Sequence, residues 1–383
     1  IYGFIAAVLP VWMLLCPRDY LSTYMKLGTV GLLAVGIFFV HPVISMPATT
    51  QYIHGHGPII PGPVWPYVCL TIACGAISGF HTLIGSGTTP KMIENEREIL
   101  PIGYGAMLVE GFVSLLALIA ACTLYSGDYF AINADPAKFP LFAAHVKDLP
   151  MLTKMVGEQT LVGRTGGAVT LAVGMARIFS GIRGMGGMMA YWYHFAIMFE
   201  ALFILTTIDT GTRVARFILQ EMLAPVWKPI GNGSWLPGVI ITSGIVSYSW
   251  YYLLKGGTVG TIWPMFGIAN QLLGVIALAI GTTYILKQSA KKVYALTTFV
   301  PFVFMAVTVL LAGVQFTQAM LNPASPDMVK AVLTIVMMAL SVIVSCDCMY
   351  RWYKILVRKP LPDLDVEPEG DLMGLAQGID VPD

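Results

Sequence analysis

Nine apolar stretches dominate this chain, at approximately residues 1–16, 27–46, 66–88, 101–124, 188–208, 236–254, 262–286, 295–318 and 329–350. A helix rises about 1.5 Å per residue and a bilayer's hydrocarbon core is about 30 Å thick, so about 20 apolar residues make one crossing. No water reaches that depth to pair with exposed peptide groups, so a spanning segment must satisfy its own N–H and C=O groups. Unbroken apolar runs of this length select the helix for that task. Composition agrees, with 56% apolar residues, only 11% charged residues and a mean hydropathy of +0.74. A soluble domain carries about a quarter charged residues. The expectation is an all-α polytopic membrane protein of nine to ten transmembrane helices.

Lys and Arg in short loops mark the cytoplasmic side. Arg18 and Lys26 are read as a cytoplasmic loop between the first two spans, and the loop at 47–65, which lacks both residue types, as external. Lys91 and Arg97 then lie inside and 125–160 outside. Counting back from Arg351, Lys354, Arg358 and Lys359 gives the same frame, with the C-terminus inside. Arg213, Arg216 and Lys228 are likewise read as an inside loop, so an odd number of crossings must separate 125–160 from Arg213. Residues 161–183 are glycine-rich and carry Arg164, Arg177 and Arg183, charges that hydrocarbon disfavours, so they are read as a re-entrant or lid-like segment. A transmembrane domain over 1–350 is thus followed by an acidic, Pro- and Gly-rich cytoplasmic tail at 351–383. The chain opens inside an apolar run without Met, which reads as the downstream part of a longer protein.

Four blocks carry a family resemblance: "GFIAAVLPVWMLLCPRDYLSTYMKLGT" (3–29), "ACGAISGFHTLIGSGTTPKMIENE" (73–96), "WYHFAIMFEALFILTTIDTGTRVARFILQE" (192–221) and "TIWPMFGIANQLL" (261–273). In order and in detail they resemble the carbon starvation protein A family, over essentially the whole chain. The resemblance implies a bacterial or archaeal inner-membrane protein for uptake of pyruvate or peptides, driven by protons. It also implies a fold of two inverted five-helix repeats, LeuT-like, with interrupted helices, of which this chain would hold all of the second. Upstream helices of the same protein are then expected partners, with a small accessory subunit or a homo-oligomer as further possibilities.

Certain polar residues sit where hydrocarbon calls for apolar ones. In "ISGFHTLIGSGTTPKM" (77–92), Gly85, Gly87 and Pro90 weaken the helical ladder, while Ser78, Ser86, Thr88 and Thr89 offer hydroxyls. Interrupted helices of this kind hold substrate or coupling ion, because irregular backbone survives at membrane depth only beside a cavity. The plainer reading is a helix end with Lys91 snorkelling to the interface. His81 is a candidate proton carrier or a neutral interhelical bond. Glu200, mid-span in "HFAIMFEALFIL", Asp209 in "TTIDTGTR", and Glu110 in "GAMLVEGF" are candidate proton-coupling acids. Asp209 and Arg213, four apart, could instead simply pair. Pro10 removes a backbone donor from the first span, and Trp12 beside it could wall a small-anion site; a packing kink serves equally. Arg18 suits a carboxylate through bidentate bonding, but with Asp19 also reads as a structural pair. Asn270 and Gln271 read as interhelical glue in preference to substrate ligands.

No cofactor is expected. His54 and His56 have no acid or cysteine nearby, Cys346 and Cys348 flank Asp347 without further ligands, and so no metal site is read. The Walker motif is absent, as is any nucleic-acid-binding feature. The leading function is a secondary active transporter, with a proton or sodium ion and a small-molecule substrate as partners in a lipid membrane, and not an enzyme. Two alternatives stay open. "AISG" at 76–79 approaches the serine motif of rhomboid-like intramembrane proteases, with His194 as base for Ser78, although Ala76 stands where glycine belongs. A non-transporting nutrient sensor would bind ligand without flux.

Overall fold

The computed structural model describes residues 1–357 apart from 61, 88, 142, 234, 257–258, 290 and 323–326. Among the described residues the regular elements are helices, with no strand. The α-helices that carry the fold are α1 (Tyr2–Val8), α2 (Val11–Val40), α3 (Cys69–Ala76), α4 (Gly79–Gly87), α5 (Ala106–Cys122), α6 (Ser126–Asn133) and α7 (Leu149–Val156). They continue as α8 (Ala168–Ser180), α9 (Met189–Leu223), α10 (Leu236–Gly256), α11 (Val259–Gln288), α12 (Leu296–Met320) and α13 (Met328–Val357). Wider helical turns at Val64–Val68 and Pro101–Gly105 lead into α3 and α5.

Seven helical stretches among the described residues are long and apolar enough to cross a membrane: Val11–Val40, Val64–Gly87, Glu96–Cys122, Met189–Leu223, Met265–Gln288, Lys292–Met320 and Met328–Val357. Their outward faces keep large apolar side chains such as Phe38, Leu118, Ile204, Phe304 and Ile343 exposed. That is the arrangement for a chain whose solvent is lipid. The expected span at 236–254 is present as α10, but its serines and tyrosines leave it less apolar than the seven.

The N-terminal region departs from the sequence expectation. Residues 18–26 are not a loop; they lie inside the 30-residue α2, which takes in parts of two expected spans. The first expected span instead breaks early, at Leu9 and Pro10. Proline has no N–H and disfavours helical backbone in the residue before it, which accounts for the break. Pro17, by contrast, lies inside α2. The charges beside it suggest a loop because water is the usual home for such groups, yet here they find partners on α9.

The structure divides into two compact units. The first comprises Ile1–Ala76 and Phe80–Gly267, and the second Ile77–Gly79 and the chain from Ile268 onward. In the first unit, α8 runs through the core, with Ala172, Val173, Met175, Ala176, Ile178 and Phe179 at most 1% exposed. It packs against α9, α5, α2 and α6. A β-carbon on Gly174 would sit 2.4 Å from the Ala120 carbonyl oxygen, so only glycine lets α8 approach α5 this closely. Thirteen residues of helix reach about 20 Å, short of a crossing.

The α6–α7 part of this unit is pinned by Asp128, fully buried on α6. Its carboxylate accepts the backbone N–H groups of Lys147, Asp148 and Leu149 at 2.9, 3.0 and 3.2 Å, holding the start of α7. Charge-assisted bonds of this type contribute about 1.5–3 kcal/mol each and are not additive. Asp128→Ala is expected to destabilise the protein by about 3 kcal/mol, read as a lower midpoint in thermal unfolding of detergent-solubilised protein. An unchanged midpoint would show that α7 holds its place without this anchor.

In the second unit α12 packs on α13. Trp352 donates its indole N–H to Thr283 at 2.7 Å and takes Phe299 and Phe302 edge-on at 5.7 and 5.3 Å. Thr282 donates to Thr298 at 2.8 Å, tying α11 to α12. Helix α13 continues through Val357, past the expected start of the tail at 351; residues 358–383 lie outside the described residues.

Candidate functional site

The break at Pro10 strands backbone carbonyls. In a continuous helix Ala6 and Ala7 would receive the N–H groups of residues 10 and 11. Proline has no N–H to give Ala6, and the chain turns away before residue 11 can serve Ala7. Two arginines of α9 take over. Arg213 donates to the Ala6 oxygen and Arg216 to the Ala7 oxygen, the latter at 2.8 Å. Both arginines are buried, at 3% and 5% exposure. Cations at a helix C-terminus also suit its dipole. The end of α1 is thus capped from across the unit.

One turn back on α9 lies Asp209, fully buried. Its Oδ2 pairs with the Arg18 guanidinium at 2.9 Å and accepts the Tyr2 hydroxyl at 3.0 Å. Arg18 also donates to Tyr2 at 2.8 Å and pairs with Asp19 at 2.7 Å. The Thr206 hydroxyl receives Arg18 at 2.9 Å and Lys26 at 3.2 Å, and donates to Asp19 at 3.2 Å. Tyr2 on α1, Arg18, Asp19 and Lys26 on α2, and Thr206 and Asp209 on α9 therefore form one polar network around the interrupted segment. Asp209 turns to Arg18, not to Arg213 four residues on, because Arg213 is engaged by the freed carbonyl. Asp209, Arg213, Arg216 and Gln220 follow spacings of four, three and four, which places them on one face of α9.

A second interruption lies between α3 and α4, at residues 77 and 78. It falls earlier than Gly85–Pro90, where the glycines pointed. Within the second unit, Asn270 donates its amide to the Ser78 hydroxyl at 3.1 Å. A β-carbon on Gly79 would lie 2.0 Å from the Asn270 carbonyl oxygen and 2.4 Å from the Leu273 β-carbon. Gln271 is fully buried, and neither its Oε1 nor its Nε2 has a partner among the described residues.

The other sequence candidates are scattered. Pro10 forms the first break and Asp209 lies in its network, whereas Trp12 is 72% exposed. His81, Ser86 and Glu110 are exposed, and Thr89 is half-buried. The Ser86 hydroxyl donates to the Thr82 carbonyl within its own helix. Thr88 lies outside the described residues. Glu200 is half-buried on α9, with no ion pair or hydrogen bond among the described residues. His54 and His56 are exposed, and no group of three metal-ligating side chains occurs among the described residues. The sequence singles out neither Tyr2 nor Gln220, and it takes Arg213 and Arg216 for charges of a cytoplasmic loop, whereas the structure buries both within α9. The signal was available: polar residues at helical spacing on an otherwise apolar helix, and a proline that must orphan a carbonyl.

Residues 1–312 match the family model described as carbon starvation protein CstA. A peptide transporter CstA of Bacillus subtilis is 47% identical over 355 residues, covering 92% of this chain and 59% of that protein. A peptide transporter CstA of Escherichia coli is 46% identical over 340 residues, covering 82% of this chain and 48% of that protein. The pyruvate/proton symporter BtsT of Escherichia coli is 42% identical over 349 residues, covering 80% and 48%. The chain thus spans about half the length of the curated relatives it matches. No solved structure matches it.

Proposed function

This chain belongs to the carbon starvation protein CstA family, and on that premise we propose that it forms part of a proton-coupled secondary transporter for a small carboxylate such as pyruvate or for short peptides. The observation that carries the proposal is the partly buried Asp209–Arg18–Tyr2 network at a broken helix. Interrupted helices bring irregular backbone to membrane depth, where it binds substrate or ion. A carboxylate that bridges α1, α2 and α9 supplies a two-state element. Charged, Asp209 holds Arg18; protonated, it loses the ion pair and loosens the three helices from one another. Protons and conformation are then coupled at one residue. Glu200, half-buried and unpaired on the same helix, is a second carrier, and Glu110 a third.

In this reading Pro10, Trp12, Ser78, His81, Ser86, Thr88 and Thr89 contribute to the substrate or ion path, and the two breaks correspond to the interrupted helices of an inverted-repeat, LeuT-like fold. With α10 as a crossing, the loop at 47–65 lies outside and the C-terminus inside, in an inner membrane. The short, buried α8 suits a re-entrant segment. The protease alternative is disfavoured because the Ser78 hydroxyl is held by the Asn270 amide.

Proteoliposome uptake of pyruvate and of a dipeptide, with and without an imposed pH gradient, tests the proposal. Accumulation of one or both only with the gradient is expected; binding without flux would favour a sensor. Glu200→Gln removes titration at nearly constant shape. It is expected to reduce gradient-driven accumulation at least tenfold while exchange down the substrate's own gradient persists. If accumulation keeps its normal pH dependence, Glu200 is structural and Asp209 or His81 carries the proton.

A further inference from the structure

The polar face of α9 holds more cation than its partners neutralise. Asp209 is taken by Arg18, and Asp19 by the same guanidinium. Arg213 and Arg216 have no acidic partner within ion-pair distance among the described residues; each donates to a neutral carbonyl, and the Arg216 guanidinium lies over the Phe217 ring at 4.4 Å, which leaves the edges of both groups open. Among the described residues their Nε–H groups have no acceptor, and one turn further along Gln220, 2% exposed, has both amide atoms unpartnered. Unpaired buried charge and unpaired buried donors are both costly, and each is relieved by the same thing, an anion.

We infer that Arg213, Arg216 and Gln220 form a carboxylate-binding site, in which the two free guanidinium edges and the Gln220 amide receive the substrate's carboxylate group. The inference rests on the transporter reading above and names the chemical feature its substrates share: pyruvate carries one carboxylate, and a peptide carries one at its C-terminus. Guanidinium groups recognise planar carboxylates through parallel N–H donors, and Gln220 supplies a neutral donor that adds directionality without further charge. The arginines are held by the Ala6 and Ala7 carbonyls of the broken helix, so the site is oriented before ligand arrives. Occupancy would also be felt at Asp209, one turn away on the same face.

The test is equilibrium binding to the intact purified protein in neutral-lipid nanodiscs. The probes are pyruvate, a dipeptide, the same dipeptide with an amidated C-terminus, and inorganic phosphate. Pyruvate and the free dipeptide are expected to compete with each other, and amidation to weaken binding at least tenfold. Gln220→Leu keeps the volume and leaves the helix cap untouched; it is expected to weaken both carboxylate ligands about tenfold, as loss of one bond to a charged group implies. Equal binding of the amidated peptide, or full affinity in the Gln220→Leu variant, overturns the assignment even if gradient-driven uptake is intact. Equal competition by phosphate, or displacement of pyruvate by anionic-lipid nanodiscs, assigns the arginines to a phosphate or a lipid headgroup and overturns it too. Carboxylate binding without any gradient-driven uptake would leave the site standing and sink the transporter reading instead.

Discussion

Asp209→Asn is expected to abolish pH-gradient-driven uptake and to lower the protein's stability by about 3 kcal/mol. The carboxylate is fully buried and bridges α2 to α9 through Arg18 while accepting the Tyr2 hydroxyl. Asparagine is nearly isosteric, so packing changes little. It cannot carry charge, however, and Arg18 loses its buried counter-ion. Removing one partner of a buried pair costs about 3–5 kcal/mol. The lower end applies because Arg18 is partly exposed and still has Asp19 at 2.7 Å. Uptake assays at matched protein levels, with thermal unfolding as the stability measure, separate the two effects. Normal accumulation in a stable Asn variant would remove Asp209 from coupling. Asp209→Glu restores the charge with one methylene too many; partial recovery of pH-driven uptake would tie the loss to titration and not to shape.

The second large effect is expected at Gly79, where α4 begins against α11 in the second unit. Alanine there would put its β-carbon 2.0 Å from the Asn270 carbonyl oxygen, 2.4 Å from the Leu273 β-carbon and 2.6 Å from the Gly274 nitrogen. Two of these three are backbone atoms, so no side-chain rotation relieves the contact. The backbone at Gly79 must move away from α11, and the Ser78–Asn270 bond is broken with it. Overpacking a well-packed interior typically costs about 1–3 kcal/mol, and a clash with backbone falls at or beyond the top of that range. Gly79→Ala is expected to yield little folded protein, whereas Gly85→Ala, with open space around it, should be well tolerated. Size-exclusion profiles after detergent extraction compare the two directly. A Gly79→Ala protein that elutes and unfolds like the parent would show that this close approach is not required.

The solvent, the helical class and the family are legible in the amino-acid sequence. Those follow from composition, run length and contiguous motifs, which are local properties of the chain. It also placed Pro10 and Asp209 among the candidates, since a proline and a carboxylate in an apolar run are conspicuous anywhere. Tertiary structure decided where helices stop and which charges meet. Residues 18–26 read as a loop because Arg18, Asp19 and Lys26 were treated as needing water; Asp209 and Thr206, almost two hundred residues away, let the helix continue through them. The second break falls at 77–78, not at Gly85, where backbone geometry alone allows a turn. Gly79 and Ser78 are engaged by α11, a contact that no local pattern encodes. Arg216 reads as a loop charge, and Gln220 carries no signal of its own, for the same reason. A polar side chain on an apolar helix shows that some partner is needed, but the partner is chosen by whichever groups the fold brings within about 3 Å, and hydrogen bonds weaken too steeply with distance for anything less to decide it.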